Sequence, residues 1–287
     1  MRAFRIAYDG TDYFGFQRQP DVTTVEDTIF DALRRLEVLA ADADKPEGYA
    51  AAGRTDAGVS ALAQTIAFDA PEWLTPRAIN SELPADVRAW ASADAPPSFH
   101  AIHHASRRTY TYHLYAPATT AVDADDWRSA STPFGNAARV DDERFHAALE
   151  ALSGAHDFHN LTPDDRNTER SPTLEATRDG AFLVVTVSAG GFSRELVRRL
   201  VSLAREVGSE ETSLARIDRA LESEPLAGHE GIAPAPPEPL VLTAVDYPDL
   251  EFSVDETAAT SARELFDRRR VEQRTAARIS RQLRDGL

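Results

Sequence analysis

What most limits this chain's fold is an order of strand and helix patterns that runs once and then starts again. Residues 2 to 8 alternate, with Phe4, Ile6 and Tyr8 on one face, and predict a half-buried strand. TTVEDTIFDALRRL follows, with Thr24 and Asp27 in capping-box spacing and Val25, Ile29, Leu33 and Leu36 at helical intervals. Strands are expected at 48–53 and 62–69, a short helix at TPRAINSEL with Pro76 in its first turn, and a strand at 86–93. RRTYTYHLYA is the clearest strand, with Tyr110, Tyr112 and Leu114 on one face. After a polar insertion at 116–139 the plan resumes. DDERFHAALEALSG predicts a helix ending at Gly154, AFLVVTVSA a buried strand, FSRELVRRLVSLAREVG a helix ending at Gly208, and LVLTAVDY a last strand. Two such runs point to a duplicated α+β unit, divided as 1–105, 106–250 and a helical extension at 251–287.

Composition then removes whole classes of chemistry. The 287 residues include no cysteine, so disulfides, thiolate metal sites and cysteine nucleophiles are excluded. No run of 18 apolar residues occurs, and MRAFRIAYDG enters a strand pattern without a signal-peptide core, which predicts a soluble, cytoplasmic protein. Asp and Glu number 47 against 31 Lys and Arg, a net charge of −16, and Lys45 is the single lysine. Such an excess normally opposes a polyanionic partner. It also fits a high-salt cytoplasm, where the Debye length falls to about 3 Å at 1 M and like surface charges hardly repel. Local arginine clusters are therefore the better guide to partners.

Four constellations stand out. AAGRTDAGVSALAQTIAFD packs Arg54 and Asp56 between Gly53 and Gly58. Both glycines can serve a plain reversal between strands, but the apolar runs on either side place Asp56 at the rim of a sheet, where catalytic groups are often held. YDGTDYFGFQRQP is a glycine-punctuated loop, either a hairpin with part-buried aromatics or a substrate-facing loop in which Gln17 supplies an amide. Tyr110, beside Arg107 and Arg108, suits sheet packing and equally suits stacking of single-stranded bases with their phosphates neutralised. In GGFSRELVRRLVSLA, Phe192, Leu196 and Leu200 form one stripe; if Arg198 or Arg199 points inward it needs a carboxylate such as Asp56. Histidines at 100, 103 and 104, and His156, Asp157 and His159, raise a metal-hydrolase reading, without an H-E-x-x-H motif to carry it.

YDGTDYFGFQ, GRTDAGVSA, FHA followed nine residues later by Tyr110, HDF, GGFSRELVRRLV and PLVLTAVDY occur in one order and spacing. In this the chain resembles the TruA-type tRNA pseudouridine synthases from residue 4 to 248. It departs from the family pattern at Ser60, where many bacterial relatives carry histidine, at DFHNL, and at PPEPLVL, which lacks the usual glycine.

The resemblance implies that Asp56 is the nucleophile, that Arg198 pairs with it, and that Tyr110 stacks on a uridine flipped out of the RNA. Arg54 is implied to slide into the RNA in the base's place, and Gln17 and Phe192 to line the substrate site. It implies two ferredoxin-like halves with antiparallel or mixed sheets flanking a central catalytic cleft, and a homodimer binding the anticodon stem-loop of tRNA at positions 38 to 40. No cofactor, metal or membrane is expected. An arginine beside a carboxylate favours its charged form, and flipping is needed because the reacting atoms are inaccessible in a stem. The competing reading is an RRM-like RNA-binding protein that only stacks bases, for which neither the G-R-T-D turn nor Arg198 is required.

The extension beyond these motifs has its own signature. From Arg263 to Leu287 eight arginines face four acids, a local balance of 8 − 4 = +4. Leu265, Glu272, Ala276, Ile279 and Leu283 follow a roughly helical spacing, a narrow, imperfect apolar stripe that predicts docking of that side, with the arginines outward.

Overall fold

The computed structural model describes residues 1–117, 131–132, 135–136 and 139–287. It comprises two compact units, Met1–Arg54 with Ala61–His104 and Pro248–Leu287, and Thr55–Ser60 with Ala105–Tyr247. Both combine antiparallel strands with packed helices, an α+β architecture.

In the first unit the order is β1 (Arg2–Tyr8), α1 (Val25–Arg35), β2 (Ala50–Ala51), β3 (Ser60–Phe68), α2 (Pro76–Asn80) and β4 (Val87–Asp94). β1 lies between β3 and β4, antiparallel to both, and β2 extends the sheet beyond β3. The expected one-sided alternation of β1 is not what this position demands. Ala3 and Ala7 are buried as well as Phe4, Ile6 and Tyr8, because a central strand is covered on both faces and small residues fill the second. The strand expected at 48–53 shrinks to the two residues of β2. α1 begins where its capping box predicts: Thr24 Oγ1 accepts from the Asp27 amide at 3.2 Å and donates to the Asp27 carboxylate at 2.7 Å. Thr75 caps α2 by accepting from the Ala78 amide at 3.2 Å, with Pro76 in the first turn.

The second unit runs β5 (Arg107–Tyr115), β6 (Ser131–Thr132), β7 (Gly135–Asn136), α3 (Asp142–Leu152), β8 (His156–Asp157), β9 (Glu169–Arg170), β10 (Thr173–Asp179), β11 (Phe182–Ala189), α4 (Leu196–Gly208), α5 (Ala215–Leu221) and β12 (Leu240–Asp246). Its main sheet is ordered β10-β11-β5-β12, every neighbour antiparallel. β10 and α5 are additions to the sequence-predicted elements. Most of the polar insertion expected at 116–139 lies outside the described residues. α4 begins at Leu196, later than the pattern from Phe192 suggests, because Glu195 takes a left-handed conformation (φ 61°) and the preceding residues turn instead. Gly208 does not stop the helix by a left-handed twist; a Cβ there would stand 2.7 Å from Val140 Cγ1, so the glycine serves close packing, and positive φ falls on Glu210. The core of this unit collects Tyr112 and Leu114 from β5, Phe145 and Leu149 from α3, Val185 and Val187 from β11, and Leu196 and Leu200 from α4.

The chain then returns to the first unit through β13 (Ser253–Val254), which pairs with the edge of β4, and α6 (Glu256–Asp285). α6 docks through Ala258, Ala259 and Ala262, whose small side chains allow close approach to β4 and α2. The predicted docking stripe does not form: Ile279 and Leu283 are exposed, and so is every residue from Val271 onward. Among the described residues no helix is long and apolar enough to cross a membrane.

Candidate active site

Asp56 sits in the turn that joins the second unit's core, and its carboxylate meets the guanidinium of Arg198 at 3.1 Å. The arginine side chain is 12% exposed and the aspartate 30%, so the pair is held largely out of water with the acid nearer the surface. Neither partner stands alone. Arg198 Nε donates to the carbonyl of Ala235 at 2.5 Å, and the Ala235 amide donates back to the Arg198 carbonyl at 3.1 Å. The arginine thus reaches Asp56 from a fixed position on the first turn of α4.

The proline-rich connector GIAPAPPEPL, which the sequence suggests only as an extended link into the last strand, is the buttress for both partners. Arg199 donates to the Ile232 carbonyl and pairs with Glu195 at 2.6 Å, which makes it a structural arginine beside the site arginine. The Tyr112 hydroxyl donates to the Pro236 carbonyl at 3.0 Å, and burial raises its pKa above the ordinary phenol value. Pro237 in turn lies under the Asp56 turn. Gly58 has φ +82°, and a Cβ there would come within 2.9 Å of Pro237 Cγ, so glycine is required both by conformation and by space. The Asp56 carbonyl closes the turn by accepting from the Val59 amide at 3.1 Å. Gly53 differs, since a Cβ there would meet nothing within 4 Å.

Tyr110 reaches the same place from β5. It is part-buried, its ring edge-to-face with Phe192 at 5.3 Å between centroids. Burial pushes its phenol up to about 12; the Arg108 charge opposes that rise and the Asp56 charge adds to it. Asp56, Arg198, Tyr110 and Phe192 are therefore gathered in one unit, as a charged pair beside a part-open aromatic surface. Arg108 is not free for phosphate: it is buried and donates to the Gly190 carbonyl at 2.6 Å.

The other anticipated residues belong to the first unit. Arg54 is exposed, and Gln17 is half-buried in the loop after β1. In that loop Tyr13 and Phe16 enter the core while Phe14 stays exposed, so the packing and surface readings of its aromatics divide between residues.

A model of the tRNA pseudouridine synthase family matches residues 148–248, a stretch that includes Phe192 and Arg198. A tRNA pseudouridine synthase A of Haloarcula marismortui is 57% identical over the whole of both chains. This chain belongs to the tRNA pseudouridine synthase family.

Further relatives of the same description are those of Natronomonas pharaonis, 54% identical over 98% of this chain and 97% of its own, and of Methanosarcina acetivorans, 33% identical over 98% and 97%. The likeness to solved structures is slight: a chain in "Crystal Structure of a Cbf5-Nop10-Gar1 Complex" gives a TM-score of 0.33 at 12% identity, covering 71% of this chain and 45% of that one. The histidines have other employment in this family member. His100 and His103 pack ring to ring at 4.3 Å, His156 contacts the Ser153 carbonyl at 3.0 Å, and His159 lies 3.3 Å from Asp157. Among the described residues no three His, Asp or Glu converge as a metal site would require.

Proposed function

We propose that this protein isomerises uridine to pseudouridine in the anticodon stem-loop of tRNA, at positions among 38, 39 and 40. The reading takes Asp56 as nucleophile, Arg198 as its ion-pair partner and Tyr110 as the platform for the flipped base. The observation that carries it is the 3.1 Å Asp56–Arg198 pair, held from both sides and next to Tyr110. In the reaction the N1–C1′ bond breaks, the uracil turns, and a C5–C1′ bond forms; C5 loses its proton and N1 gains one, so nothing is added or removed overall. A carboxylate can serve by attacking C1′ or C6 or by assisting glycal formation, and all three begin from the same placement beside the sugar. An oriented arginine keeps that oxygen directed, and an aromatic wall holds the detached base for recombination.

In the same reading Phe192 backs Tyr110 from behind, Arg54 enters the RNA as the base leaves, and Gln17 contacts substrate. Taken over the main-sheet strands, with α3 and α4 as the helices of the second unit, each unit has a β-α-β-β-α-β order with the first strand between the third and fourth, which supports the two ferredoxin-like halves. The family resemblance further implies a homodimer acting in the cytoplasm without a cofactor.

The test uses tRNA carrying tritium at uracil C5, since that hydrogen leaves only when the new bond forms. Wild-type protein should release tritium, and pseudouridine mapping of the product should find it among positions 38 to 40. Asp56→Asn keeps the side chain's shape without the nucleophilic oxygen, so it should release none while retaining tRNA affinity through phosphate contacts elsewhere. Turnover by that variant would remove Asp56 from the catalytic role.

A further inference from the structure

α6 extends far beyond the part of it that packs. Its anchor ends near Arg269, whose guanidinium meets Asp9 at 2.7 Å and Asp12 at 4.0 Å, both in the YDGTDYFGFQ loop. From Val271 to Leu287 every residue is exposed. The helical part of that stretch, to Asp285, is about 22 Å long at 1.5 Å per residue. A helix without tertiary cover is marginal in water, so one that projects this far suggests a surface made for something else to meet.

The arginines are not scattered over it. Arg263, Arg270, Arg274 and Arg281 recur at intervals of seven, four and seven residues, which return to one side of a 3.6-residue helix. Arg278 and Arg284 flank that line, and Arg269 points about a third of a turn away, toward its anchor. From Arg268 to Leu287 seven arginines meet two acids, Glu272 and Asp285, a balance of 7 − 2 = +5 on a chain of net −16. Pairs along this face include Arg263 with Glu256 at 3.9 Å, Arg270 with Asp267 at 2.8 Å and Arg284 with Asp285 at 2.6 Å, all within the helix and solvent-exposed, and such pairs exchange partners at little cost.

We infer that this face of α6 is an RNA-binding arm that grips the phosphate backbone of the substrate tRNA. Charge complementarity selects the occupant, because an acidic chain repels a polyanion except at a concentrated basic surface. Residue type sharpens the choice. All the cations are arginine, whose planar fork makes two parallel hydrogen bonds to a phosphate, a contact-range interaction that outlasts long-range attraction when salt shortens the Debye length. A protein partner fits less well: Val271, Ile279 and Leu283 are spaced eight and four residues apart, and Glu272 and Thr275 interrupt the three-four alternation of a coiled-coil seam. The anchor adds a functional link, since Arg269 ties the arm to the loop assigned above to the substrate. The inference rests on the tRNA reading of the active site and extends it to a second contact surface.

The test is a salt series of tRNA binding by the full-length protein, comparing wild type with R263Q/R270Q/R274Q/R281Q. Each lost phosphate contact lowers the slope of log affinity against log salt by about 0.7 to 0.9, so the quadruple variant should be shallower by about 3. If it fails to fold, R274Q and R281Q taken singly should each reduce the slope by about 1. An unchanged slope in a folded variant overturns the arm. I279S/L283S, followed by light scattering, addresses a second copy of the chain as occupant: loss of a dimer with the full arginine-dependent slope retained leaves the arm standing, whereas loss of a dimer together with an unchanged slope in the arginine variants overturns it. Pseudouridine formation by the same wild-type preparation separates the two readings. Product formed with an unchanged slope sinks only the arm, and no product despite a steep arginine-dependent slope sinks only the enzymatic assignment.

Discussion

The two units share a strand order but differ in the helix that follows the third strand. In the first unit this is α2, five residues long, which buries Pro76 and Ile79 and leaves its arginine, Arg77, exposed. In the second it is α4, thirteen residues long, which buries Leu196, Val197, Leu200, Val201 and more, and turns Arg198 inward. The tyrosines on the first strands diverge in the same sense: Tyr8 is sealed in the core, while Tyr110 keeps an accessible part. An inward-facing guanidinium is costly without a partner, and only a helix fixed along its length can carry one to a set position. The unit with the long helix therefore has the means to hold Asp56, and the other unit does not.

The largest effect should come from removing that difference. Arg198→Leu takes away both the ion pair and the side-chain hydrogen bond to Ala235, leaving the Asp56 carboxylate without the cation that directs it. Turnover should fall by about 100-fold or more, as misplacement of a reacting group by 1 Å can cost that much. Arg198→Lys sharpens the point, because a single ammonium cannot reproduce the divided donation to Asp56 and Ala235 and should recover only part of the rate. Arg77→Leu, the matching change on α2, should leave turnover near wild type. Equal losses at Arg77 and Arg198 in single-turnover assays would erase the functional contrast between the two helices.

Much of this contrast was legible in the sequence, and the illegible part has physical causes. The capping box at Thr24, the strand holding Tyr110 and Tyr112 and the reach of α6 follow from local patterns, whereas the Asp56–Arg198 pairing comes from the family resemblance, the residues alone saying only that an inward arginine there would need a carboxylate. The role of GIAPAPPEPL does not, because its work is done by backbone carbonyls at Ile232, Ala235 and Pro236, which have no side-chain signature. The hairpin of β10 and β11 did have a signal, Asp179-Gly180 between two alternating runs, with Gly180 at φ +58°. The start of α4 was hidden because Glu195 adopts a conformation its residue type rarely takes.

The two motif glycines give a middle-sized test. Gly58→Ala must accept a left-handed φ and a contact at 2.9 Å with Pro237, and should lower unfolding stability by about 1–3 kcal/mol. Turnover should drop as well, since the strained turn carries Asp56. Gly53→Ala meets no neighbour within 4 Å and should change stability by less than about 0.5 kcal/mol. Denaturant melts of both variants decide it, and equal destabilisation would mean that Pro237 does not seat the turn.

The smallest effect lies in the tyrosines at alkaline pH, and it compares the units directly. Tyr110 in the second unit and Tyr13 in the first are each pushed up to about 12, mainly by burial, with Asp56 adding to the first and Asp86 to the second. In the unfolded chain a phenol ionises near pH 10. Below that pH both states hold the proton and the full stability is present. As pH rises from 10 to 12 the unfolded chain releases it first, so each raised phenol draws stability down, by at most about 2–3 kcal/mol at the top of the window. Tyr110→Phe cannot ionise, so its stability should decline less steeply than wild type over that window and match it below pH 10, after allowance for any constant offset. Tyr13→Phe should flatten the same window by a similar amount, because burial dominates both. If Tyr110→Phe follows the wild-type slope while Tyr13→Phe does not, the Tyr110 hydroxyl is open to water, and the burial that distinguishes the aromatic surface beside Asp56 is lost with it.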